Sequence, residues 1–152
     1  MRGIHIRRTQ PCAMVLALHL LVSTVLIVLV TVVHGTGITL AGKLLDYEKG
    51  EFKHRSLMFV EFHFLVPMAL FLFALHLLEI AIFAAFYMVV DAIGTVEEAL
   101  FSSAAAYTTI GIAENAIGEW RLVAAFEGLA GFLMIGWSVA VFIKEMDRVV
   151  RK

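Results

Sequence analysis

The stretch Thr108-Thr109-Ile110-Gly111-Ile112-Ala113-Glu114 decides how the rest of the chain is read. It follows a short segment rich in small residues, Ser102 to Ala106, and precedes a long apolar run that begins near Trp120. Two threonines and a glycine interrupt the helical pattern there. Inside a bilayer, non-helical backbone survives only where it is buried in protein or lines a wet cavity, because each unpaired polar group facing lipid costs several kcal/mol. Such a segment implies a lining. Carbonyl rings in linings of this kind replace the water around a cation, and a threonine hydroxyl adds a further oxygen. Thr108, Thr109 and Gly111 suit that chemistry.

Composition makes the bilayer the expected solvent. Of 152 residues 61% are hydrophobic, and the mean hydropathy is +0.92, more apolar matter than a soluble domain of this size buries. The formal charge of -1 and the lack of a long basic tract argue against a nucleic-acid partner. Cys12 is the single cysteine, so an internal disulfide is excluded, and it lacks the context of a lipid-attachment site. Apolar stretches near 12–34, 57–90 and 120–143 each exceed the roughly 18 residues that a spanning helix requires. The expectation is an all-α membrane protein in a single domain, with three transmembrane helices plus a re-entrant helix and loop between the second and third.

Outward from the central stretch, Thr95 and Glu98 form a capping box at the head of a helix over 95–107, with Glu97 and Glu98 at its positive end. At about 18 Å this helix is too short to cross, so it is expected to enter and stop. Its negative end then points inward, where a cation is favoured. The loop 108–114 follows, Glu114 at its outer mouth, and the third span covers 120–143 with a tail over 144–152.

The run 57–90 would be about 51 Å as one helix, well beyond a hydrocarbon core of about 30 Å. Pro67 marks the expected kink, with Ser56–Val66 at the surface and the span from Met68 to Val90. His76 and Glu79 fall inside that span on one face, either as a helix-locking contact or in a proton or metal role. Two ligands alone make a weak metal motif.

Pro11 opens the first run, which continues to Val33 without a cleavage signature and is read as a retained helix. His19 and His34 on it are 15 residues, about 22 Å, apart and cannot share a metal within one chain. They are read as interfacial or hydrogen-bonded. His34-Gly35-Thr36-Gly37 ends that helix, and 35–56 is read as a solvated loop of mixed charge with Lys43, Lys49, Lys53 and Arg55. This loop and the tail, with Lys144, Arg148, Arg151 and Lys152, are the basic side and so cytoplasmic, while the acidic 91–119 segment faces out. Three spans then put the N-terminus outside, an assignment against which Arg2, Arg7 and Arg8 count.

These residues resemble the tetrameric pore-loop cation channels of the potassium channel pore-domain type, whose pore helix runs into Thr-Thr-Val-Gly-Tyr-Gly-Asp. The similarity covers about residues 68–143, through Ala99-Leu100, Ser103, Arg121-Leu122-Val123, Ala130-Gly131 and Gly136. His34, His76-Leu77-Leu78-Glu79, Trp120-Arg121-Leu122, Glu127-Gly128 and Gly136-Trp137-Ser138 are similar to small bacterial ion-channel proteins with an extra N-terminal helix. The resemblance implies a passive, homotetrameric channel in the cell inner membrane, with Thr108, Thr109, Ile110, Gly111, Ile112 and Ala113 as ion filter. It implies Gly131 and Gly136 as hinge or packing glycines of the inner helix. The permeant ion would be a monovalent cation, K+ or Na+, and the partners lipid and three further copies. No catalysis, cofactor or resident metal is implied.

The chain departs from the family at Ile112 and Ala113, where Tyr and Gly are usual. The tyrosine's polar anchor is thereby lost, which implies apolar packing of Ile112 and weak selectivity, or a non-conducting relative acting as scaffold or auxiliary subunit. Glu127, deep in the third span, is expected to bond a hydroxyl such as that of Thr108 or Tyr107, or to tune permeation. An enzymatic reading would assign His34, His63, His76 and Glu79 to haem or a metal.

Overall fold

A computed structural model of the chain describes residues 10–48, 57–111 and 117–150. Among the described residues there is no strand. The helices in chain order are α1 (Gln10–Glu48), α2 (Leu57–Val89), α3 (Val96–Tyr107) and α4 (Arg121–Val150), the last entered through a 3-10 turn at Gly118–Trp120. Three stretches are long and apolar enough to cross a membrane, namely Ala13–Lys43, Leu65–Val89 and Gly118–Asp147. The chain is thus a multi-pass membrane protein by the length and composition of its helices.

The sidedness of the long helices agrees with a lipid environment. Among the described side chains of α1 the buried positions are His19, Ser23, Leu26, Val30, His34 and Ala41, a single stripe at helical spacing. Met14, Leu18, Leu21, Val25, Val28 and Val32 lie exposed around it. Polar groups inside and aliphatic groups outside reverse the pattern of a helix in water, where the hydrophobic effect buries the aliphatic face. In lipid that drive is absent, and polar side chains turn inward to find partners.

The first helix differs from expectation. It does not end at His34, and 35–48 is helix rather than loop. Glycine in a helix costs about 1 kcal/mol relative to alanine, but a bilayer penalises an open backbone far more. Close packing also uses both glycines. A Cβ at Gly37 would meet the Leu75 side chain at 2.7 Å, and one at Gly35 would sit 3.5 Å from Trp137. Thr36 and Thr39 return their hydroxyls to the carbonyls of Val32 and Gly35, both at 2.8 Å, so the threonines add no unpaired group. The rest of the expected loop, 49–56, lies outside the described residues.

The second helix runs through Pro67 without a break in its assignment, and its stretch Leu65–Val89 is long and apolar enough to cross a membrane. It ends in a turn where Asp91 takes a left-handed φ of 52°, while the N–H groups of Ala92 and Ile93 both donate to the Tyr87 carbonyl. Thr95 then caps α3 by accepting the Glu98 N–H at 3.3 Å, the N-cap half of the predicted capping box, while the Glu98 carboxylate takes the Thr95 hydroxyl at 3.2 Å.

The short helix α3 packs between α2 and α4, burying Ala99, Ser102, Ser103, Ala105, Ala106 and Tyr107. Its C-terminal carbonyls rest on two glycines of α4 spaced three apart. A Cβ at Gly128 would lie 3.0 Å from the Ala106 oxygen, and one at Gly131 only 2.1 Å from the Tyr107 oxygen. Small residues here let two backbones touch. Gly136, by contrast, has nothing within 4 Å of an added Cβ.

Candidate functional site

Two buried acids hold α3 in place, one from each flanking helix. Glu79 of α2 and Glu127 of α4 are both fully buried. Ser103 and Tyr107 lie four residues apart on α3, and so present hydroxyls one above the other on one face. Ser103 donates to Glu127 Oε1 at 2.5 Å and Tyr107 donates to Glu79 Oε2. Each acid thereby claims one turn of the short helix.

Around Glu79 the network draws on all four helices. His34 of α1 reaches Glu79 Oε1 through Nδ1 at 2.7 Å, and its Nε2 lies 3.4 Å from Ser138 Oγ of α4. His76 Nδ1 is 2.8 Å from the Tyr107 hydroxyl and 3.3 Å from Glu79 Oε2. Trp137 of α4 packs against the His34 ring, with centroids 5.3 Å apart. Both histidines therefore present Nδ1 to opposite oxygens of one carboxylate, with a phenol between His76 and that carboxylate.

Around Glu127 the partners differ from those the sequence suggests. Tyr87 of α2 donates to Oε2 at 2.6 Å, and Ser103 Oγ also lies 2.8 Å from the Ile80 carbonyl. Neither Thr108 nor Tyr107 is the partner. Thr108 turns its hydroxyl back to the Ala104 carbonyl at 2.6 Å, and Tyr107 faces α2. The reason is axial height, since Glu127 stands level with Ser103, one turn nearer the start of α3. Replacing Glu127 by glutamine, which can accept from Tyr87 and donate to Ser103, is expected to cost under about 1 kcal/mol. Alanine there strands the Tyr87 hydroxyl, while Ser103 keeps the Ile80 carbonyl, and is expected to cost about 1 to 3 kcal/mol. Thermal unfolding of the two variants in one detergent checks the difference.

Beyond α3 the chain makes a turn of unusual backbone. Thr109 has φ 59° and Gly111 has φ 96°, with Ile110 between them, and Thr108–Gly111 are exposed. Three N–H groups of this turn go back to the end of α3: Thr108 to Ala104 at 3.0 Å, Thr109 to Ala106 at 2.9 Å and Gly111 to Ala105 at 3.1 Å. Among the described residues, no backbone bond around the turn uses a carbonyl of Thr108–Gly111. Ile112, Ala113 and Glu114 lie outside the described residues.

His76 and Glu79 meet as their spacing predicts, and His34 joins them although the sequence reading set it at a helix end. Tyr87, Ser103 and Ser138 were the partners that sequence reasoning missed, and Tyr107, expected on Glu127, bonds Glu79 instead. The four-residue step between Ser103 and Tyr107, beside two acids in spans, is the signal that points to them. His19 takes no part and instead packs on Trp120, with ring centroids 4.8 Å apart. Gly131 is a packing glycine, whereas Gly136 has open space beside it. Compared with known proteins, the chain matches no family model, no curated protein and no solved structure.

Proposed function

We propose that the chain assembles as a homotetramer into a passive channel for monovalent cations, with α3 as a re-entrant pore helix and residues 108–113 lining the path. The observation that carries this reading is the turn after α3, where Thr109 and Gly111 take positive φ on either side of Ile110 and the N–H groups of Thr108, Thr109 and Gly111 bond back to the helix. Where the helix behind a turn takes up its N–H groups, the turn's carbonyls are left to face a shared axis. Oxygens freed in this way are what a dehydrated cation requires. One chain supplies a quarter of such a ring, and fourfold symmetry closes it. Glu114 of four copies would gather cations at the mouth. The basic segments favour a cytoplasmic C-terminus by the positive-inside rule, and the proposed channel sits in the cell inner membrane with its N-terminus outside.

Reversal potentials of the purified protein in liposomes, under potassium, sodium and calcium gradients, test the reading. Monovalent flux is the expected result. A Gly111→Ala variant is expected to lose at least about tenfold of it, since a side chain at positive φ costs about 1 kcal/mol in each of four subunits. Silence in every gradient would replace the channel with a non-conducting scaffold of the same architecture.

A further inference from the structure

We infer that His34, His76 and Glu79 form a binding site for a divalent transition-metal cation of the zinc type, with the Tyr107 hydroxyl at the fourth position. One donor atom from each of the three side chains lies within 4.8 Å of the other two, with His34 and Glu79 fully buried and His76 partly so, between α1, α2 and α3. A tetrahedral zinc centre has ligand distances of about 2.1 Å and so spaces its donors about 3.4 Å apart. The groups need close by little more than 1 Å. His76, 17% exposed where Glu79 and His34 are fully buried, is the ring with room to turn.

The donor set selects the ion. Two imidazoles and one carboxylate suit zinc, copper, nickel or iron, whereas magnesium and calcium demand oxygen ligands in greater number. The carboxylate offsets one of the two positive charges within the low-dielectric interior, which two neutral histidines alone could not do. Both Nδ1 atoms face the carboxylate, so a metal there needs their lone pairs and the ring protons must move to Nε2. For His34 a recipient is in place, since Ser138 Oγ lies 3.4 Å from Nε2. Such an outer partner fixes the ring of a metal-bound histidine. Without a cation the same groups hydrogen-bond one another, so the site is largely preformed and little ordering remains to be done on binding.

The site is independent of conduction, because binding is read without flux. Protein stripped with chelator and titrated with zinc chloride in a calorimeter is expected to take up one ion per chain at this site, and magnesium chloride none. His76→Ala is expected to weaken zinc binding at least about tenfold, while His19→Ala, at the Trp120 contact, leaves it unchanged. Zinc should also raise the unfolding midpoint of the parent protein and of His19→Ala, but not of His76→Ala. Should His76→Ala fail to fold, Ser138→Ala serves, expected to weaken binding about tenfold or more through the His34 ring. Absence of zinc uptake by the parent protein, or equal uptake by the His76→Ala or Ser138→Ala variant, would overturn the proposal. X-ray absorption showing only oxygen or sulfur ligands would do the same.

Discussion

Substituting alanine for Gly131 is expected to destabilise the protein by about 3 kcal/mol or more, the largest effect expected of an added methyl group among the described glycines. The added Cβ would stand 2.1 Å from the Tyr107 carbonyl oxygen and 2.8 Å from both its carbonyl carbon and ring. None of these is the loose end of a flexible side chain. Relief requires moving the last turn of α3 off α4, and that turn carries Thr108 and the backbone beyond it. Flux should fall together with stability. Gly136→Ala supplies the contrast, because an added Cβ there meets nothing within 4 Å, and its expected cost is within about 0.5 kcal/mol. Gly128→Ala should fall between them, its Cβ meeting the Ala106 oxygen at 3.0 Å. Unfolding midpoints that failed to rank the three in this order would mean that α3 does not rest on α4 as described.

Loss of the Glu79 carboxylate is the second large effect, and Glu79→Ala is expected to cost about 3 to 5 kcal/mol. It removes the shared acceptor of His34 and Tyr107, both buried, and of His76. Buried donors left without an acceptor bear the full cost of desolvation. Glu79→Gln keeps one acceptor oxygen but turns an amide donor toward groups that already donate, so about 1 to 3 kcal/mol is expected. Trp137, packed on His34, should report the change through its fluorescence. A His34→Leu and Glu79→Leu double variant is expected to lose less than the sum of its parts, since removing both polar partners leaves fewer stranded groups. Additive losses would show that the two residues do not depend on each other.

The network reframes the polar residues of the spans. Read from the sequence, Ile112 suggests apolar packing behind the central loop, at a position outside the described residues. The polar anchoring found in this chain lies one step earlier, at Tyr107, where a phenol reaches an acid on the neighbouring helix. Ser103 repeats the device one turn below with Glu127. Position of the short helix is thus set by two hydroxyl–carboxylate bonds and by two glycines, with little contribution from large side chains among Ser102 to Ala106.

Hydropathy alone determined that three helices are long and apolar enough to cross a bilayer, because an extended apolar run has no other stable home. Local chemistry likewise determined the start of α3, since Thr95 and Glu98 act on neighbours three residues away. Only the tertiary structure decided where α1 stops, because Gly35 and Gly37 look like a terminus until α2 and α4 are seen packed against them. It alone decided the partners of the acids, since His34 and Glu79 are 45 residues apart and Ser103 and Glu127 are 24 apart. Periodicity carries no record of such pairings in a helix apolar on every side. Which face turns inward depends on what the neighbouring helix offers to a buried charge, and that becomes definite only when the helices are side by side.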